Sequence, residues 1–152
     1  MAKWQNNEMI IELAKIGFKV LNISRIKIKH PNIINKFVPY SEVPGYLSAG
    51  DISFIWRDKS IVNKVASPVK VSEYISCGLP IIHNGTVDMI ANLLTDLSES
   101  LKIDDIKDLN FNKVLKLIEQ SDREKLCQKG LLNFGLKNIG KGYQKIYEQA
   151  FI

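Results

Sequence analysis

Short β-branched runs alternate with helix-period segments along most of this chain, and few folds accept that alternation besides a parallel sheet covered by helices. Residues 18–24 (FKVLNIS), 33–38, 51–56 (DISFIW) and 79–84 read as strands. Between them, residues 7–16, 41–49, 67–77 and 87–94 carry apolar side chains at three-and-four spacing. Past Thr95 the pattern is helical throughout, over 111–119, 122–133 and 139–151, and 25–30 (RIKIKH) stays unassigned. The expected fold is α/β: a Rossmann-like three-layer domain with a mostly parallel sheet and C-terminal helices.

Local punctuation supports this division. Gly17 stops the first helix, and Gly78 with Pro80 stops the one before 79–84. Ser41 is an expected N-cap with Pro44 in the first turn, and Ser67 another with Pro68 at the first helical position. The polar stretch 57–66 reads as a loop longer than most βα connections, and long loops on such scaffolds often bind ligands.

Composition narrows the class further. With 45% hydrophobic and 24% charged residues over 152 positions the chain can bury a core, which a disordered chain cannot. No apolar run is long enough to cross a bilayer, and residues 1–12 lack a signal-peptide core, so a cytoplasmic protein is expected. Cys77 and Cys127 show no metal-ligand spacing and read as reduced thiols; no metal is expected. Residues 1–72 hold 11 basic and 5 acidic side chains, a net +6, whereas 73–152 hold 10 and 11. A basic half attracts anions. No amphipathic basic helix is evident, and RIKIKH offers no aromatic platform or helix-turn-helix, so nucleic acid is not an expected partner.

Chemistry concentrates at two helix starts that follow strands, near Ser67 and Thr86, where unpaired N–H groups and the helix dipole favour an anion. Lys70 and Glu73 share one face of the first helix, away from Val71, Tyr74 and Ile75. A lysine there opposes the dipole, which an anionic ligand would offset, and the carboxylate one turn on can accept from hydroxyls. An ordinary N-cap and a solvated i,i+3 pair explain the same residues.

The runs at 41–58 (SEVPGYLSAGDISFIWRD) and 66–90 (ASPVKVSEYISCGLPIIHNGTVDMI) resemble the C-terminal, donor-binding half of GT-B glycosyltransferases of glycosyltransferase family 4, which build bacterial surface polysaccharides. The shared pattern is Pro68, Lys70, Glu73, Tyr74, Gly78 and Pro80, and 143–148 (YQKIYE) resembles the helix that ends such chains. The resemblance implies that Glu73 holds the ribose of a UDP- or GDP-linked sugar. Ser67, Pro68, Val69 and Lys70 then lie at the diphosphate, Gly85, Thr86 and Asp88 near the sugar or phosphate, and Val38 and Tyr40 near the base. Glu73 and Lys70 would be the catalytic pair, with no cofactor beyond the donor. The acceptor, a saccharide or lipid-linked molecule, would be held by a preceding domain, making residues 1–152 one domain of a longer two-domain chain. Peripheral contact with the inner face of a membrane is a further expectation of that resemblance.

There are departures from the family pattern. Many members have a second glutamate eight residues before the ribose glutamate, where this chain has Val65, and Met1 to Trp4 begin where the domain's first strand should be ending. The arginine and lysine that many members supply after that strand have no clear equivalent here. His83, His30 and Cys77 read as structural, and Trp56 and Arg57 as core and rim or as ligand contacts. Two other functions fit the same pattern, a non-catalytic nucleotide-binding or interaction module and a nucleotide-sugar epimerase of GT-B fold. A receiver module would need acidic residues at its strand ends, which here are Ser24, Val38, Trp56 and Asn84.

Overall fold

The computed structural model describes residues 8–96 and 98–150. Met1 to Trp4 and residue 151, on which two of the expectations fall, lie outside these. Five strands, β1 (Val20–Ile23), β2 (Ile33–Lys36), β3 (Ser53–Ile55), β4 (Ile81–His83) and β5 (Ser100–Lys102), pair only in parallel among the described residues. They form two sheets, β1-β2 and β3-β4-β5, where one was expected. No described strand bridges β1 and β3.

The three-stranded sheet is covered on both faces, and its register shows why. Side chains alternate along a strand, so Ile55 and Ile81 share one face while Phe54, Ile82 and Leu101 share the other. Ile55 and Ile81 pack with Val71 and Ile75 of α4 (Val69–Ser76), Ile90 of α5 (Asp88–Leu93) and Leu126 of α7 (Arg123–Phe134). Ile82 packs with Leu13 of α1 (Glu8–Ile16) and Val114 and Leu117 of α6 (Phe111–Gln120). The result is an α/β arrangement compatible with a Rossmann-like fold.

Several elements depart from expectation for local reasons. The 41–49 helix begins with a 3₁₀ turn at Tyr40–Glu42, then continues as α2 (Val43–Ser48) with Pro44 in its first turn, so Ser41 caps nothing. The stretch 57–66 contains a helix, α3 (Ile61–Val65), capped by Ser60, whose Oγ accepts from the Asn63 N–H at 3.2 Å. Pro68 takes the N-cap position of α4, and Ser67 turns its hydroxyl to Met89 Sδ at 3.1 Å, so Ser67 is not the cap. The strand β5 was missed because three residues are too few to show a period.

RIKIKH is a connection held by two amides. Asn35 Oδ1 accepts from the Ile28 N–H and its Nδ2 donates to the Ile28 carbonyl, both at 2.9 Å, while Asn22 Nδ2 donates to the Ile26 carbonyl at 2.7 Å. The last helix, α8 (Leu136–Ala150), buries no side chain. Leu136, Ile139, Tyr143, Ile146 and Tyr147 lie along one exposed side of it, and Lys137, Lys141 and Lys145 along the other. It is therefore an amphipathic basic helix, which corrects the sequence reading.

α7 lies directly on α4 at a glycine. A Cβ added at Gly130 would come within 2.8 Å of the Ser76 backbone, whereas one at Gly140 meets nothing within 4 Å. Gly130→Ala should therefore lose about 1–2 kcal/mol despite its better helix propensity, while Gly140→Ala should gain up to ~1 kcal/mol. Urea denaturation of the two variants measures both, and equal shifts would contradict this account of the packing.

Candidate functional site

The carboxyl end of β3 opens into a cleft of about 860 Å³ between the two sheets. Its polar end is assembled from three elements. Trp56 and Arg57 leave β3, Lys70, Glu73 and Tyr74 come from α4, and Tyr40 from the 3₁₀ turn before α2. Helix α4 can present these groups because Val71 and Ile75, fully buried, fix its opposite side to the core.

The charges there are close enough to perturb one another. The Tyr40 hydroxyl donates to Glu73 Oε1 at 3.0 Å, and that bond together with the carboxylate's charge raises the Tyr40 pKa. Burial lowers the Lys70 pKa, and the Arg57 guanidinium lowers it further, so two cations share this end of the cleft. Desolvation also lowers the Arg57 pKa. Burial, reinforced by Glu73, pushes the Tyr74 phenol up to about 12 and keeps it neutral. Two cations beside a carboxylate suit a ligand that carries both negative charge and hydroxyl donors: an anion relieves the Lys70–Arg57 repulsion, and the hydroxyls donate to Glu73.

A second cavity, of about 310 Å³, is lined by Lys59, Ser60 and Lys64 on one side and by Asn84, Gly85, Thr86 and Asp88 on the other, with Lys102 and Asp104. Here the chain after β4 turns sharply at Gly85, whose φ is +72°, a conformation other side chains rarely adopt. The Arg57 carbonyl ties the two cavities together. It accepts from Asn84 Nδ2 at 2.6 Å and from Thr86 Oγ1 at 3.1 Å.

The expected site residues thus divide into groups. Tyr40, Lys70 and Glu73 meet in the cleft, and Gly85, Thr86 and Asp88 line the second cavity. Ser67, Pro68, Val69 and Val38 line neither, with Val69 65% exposed and Ser67 turned to Met89. Lys59, Lys64 and Lys102 escaped the sequence reading. The two former sit around a helix taken for loop, and Lys102 ends the strand that was missed. Among the described residues no three His, Cys, Asp or Glu side chains cluster as metal ligands. Compared with family models, curated proteins and solved structures, the chain matches none.

His83, at the end of β4 beside the second cavity, is 4% exposed, and its Nδ1 accepts from the Gly85 N–H at 3.2 Å. Burial, aided by the Lys102 ammonium, lowers its pKa to about 4. An unfolded histidine titrates near ~6.5, so between these values the unfolded chain binds more protons than the folded one. Stability associated with His83 is therefore complete above about pH 6.5 and lost as the pH falls towards 4. The imidazole should titrate near 4 by NMR, and His83→Asn should flatten the loss of stability across that window. A titration near ~6.5 would contradict this.

Proposed function

We propose that this chain binds a nucleoside-diphosphate sugar, UDP- or GDP-linked, as the donor half of a GT-B glycosyltransferase of the family 4 type. The observation that carries the reading is the meeting of Tyr40, Lys70 and Glu73, taken from well-separated parts of the chain, at one end of one cleft beside the end of a parallel strand. The Glu73 carboxylate receives ribose hydroxyls on the oxygen turned away from Tyr40. Lys70 and Arg57 take the diphosphate, and their charge stabilises the leaving group as the bond to the sugar breaks.

Tyr40 has two roles in this arrangement. Its hydroxyl orients Glu73, and its ring, 74% exposed, offers a face on which the base stacks. The sugar extends towards the second cavity, across the Arg57 carbonyl that joins the two. Transfer requires an acceptor, a saccharide or a lipid-linked molecule, brought by another domain.

Calorimetry with UDP and GDP tests the reading directly. Glu73→Ala should weaken binding of uridine or guanosine and of the diphosphate by about 10–100-fold, the worth of a charge-assisted hydrogen bond. Lys70→Ala should weaken the diphosphate alone and reduce its salt dependence. Tyr40→Phe should cost less than Glu73→Ala, since the ring remains. Absence of any binding at millimolar UDP and GDP would end the proposal.

A further inference from the structure

The cleft is far larger than its polar end, and its body is bordered by two strands that each have an open edge. β1 pairs with β2, and β3 with β4; among the described residues neither pairs on its other side. All of β1 and all of β3 line the cleft, so the open edges border the same space. Leu13 of α1 and Val114 of α6 close it from one face of the sheets, and Tyr74 of α4 from the other. A space edged by two strands and covered above and below by helices is the shape of a strand position within a three-layer domain.

Backbone hydrogen bonds show which groups face it. Val20 and Ser24 donate to β2's side, at Asn32 and Lys36, and Ser53 donates to Pro80 on β4's side. Since successive N–H groups of a strand point to opposite edges, those of Leu21, Ile23 and Phe54 face the cleft. Donors lining an apolar space need partners.

We infer that the body of this cleft accepts an extended apolar segment, inserted as a strand between β1 and β3, which joins the two sheets into one. The occupant is polypeptide preceding α1 in the same chain. Helix α1 packs its Leu13 and Ala14 inward and leads directly into β1, so it stands where the crossover helix of a βαβ unit stands, and the strand feeding such a helix lies beside the one leaving it. A strand buried on both faces is a continuous apolar run, which matches the cleft's lining by Leu21, Ile23 and Phe54. This inference is independent of the nucleotide reading, because it uses the cleft's apolar body and not Lys70 or Glu73.

The test extends the full chain at its N-terminus with the run Ile-Val-Leu-Val-Ile, and compares amide hydrogen exchange with that of the unextended chain. The amides of Leu21, Ile23 and Phe54 should gain protection by about 100-fold or more, while those of Val20, Ser24 and Ser53, already paired, should change little. If the extended chain does not stay soluble, the same run added as a free peptide to the unextended chain gives the same three-against-three readout. Three results would overturn the inference: no gain at the three amides, equal protection of all six amides before extension, or a gain that appears only with dimer formation.

Discussion

The burial of one side of α4 is the constraint on which the site depends. Val71 and Ile75 are fully buried against Ile55, Ile81 and Leu126, so the helix cannot rotate about its axis without exposing them. At ~25 cal/mol per Å² of apolar surface, exposing two such side chains would cost several kcal/mol, more than the charged pair on its other side can return. Lys70 and Glu73 therefore face the cleft as a consequence of packing. The same fixed face sets α7, whose Gly130 admits the close approach at Ser76, and α7 in turn holds Lys129 against the buried Glu99. A lone Glu99 carboxylate there would be costly; the lysine makes its burial tolerable.

Much of the fold was legible because it obeys simple periods. The helices at 7–16, 67–77, 87–94, 111–119 and 122–133 show an apolar face at three-and-four spacing, and each has a counterpart within a few residues. Strands were overestimated in length because apolar residues such as Phe18 and Leu79 serve the core from just outside the ladder. The errors share one cause. Where a helix or strand spans three to six residues, as in α2, α3 and β5, caps and turns decide the structure and periodicity says little.

The site was legible in part for a related reason. Lys70 and Glu73 could be placed together because helical spacing alone puts them on one face. Tyr40 joins them across 33 positions of sequence, which only the resemblance anticipated and which the Tyr40–Glu73 hydrogen bond makes concrete. Ser67 failed as a cap because Met89, brought close by α5, offers its hydroxyl another partner, a tertiary contact that no local rule contains. Arg57 was ambiguous for the opposite reason: at a strand end, core and ligand positions are neighbours, and its backbone and side chain serve different cavities.

That division of Arg57 bears on how the two cavities can work together. Its guanidinium lies near Lys70 in the cleft while its carbonyl receives Asn84 and Thr86 from the turn after β4. A shift of the β3 end that moves the guanidinium towards a bound anion must stretch or carry along those two hydrogen bonds. The turn it would pull is constrained, because Gly85 holds a positive φ and its N–H is tied to His83. An anion in the cleft and a group in the second cavity are thus coupled through one peptide unit. Rigid-body linkage of this kind favours a single elongated ligand with a charged centre over two small ligands bound separately, since one molecule spanning both cavities meets the immobilisation cost of association only once.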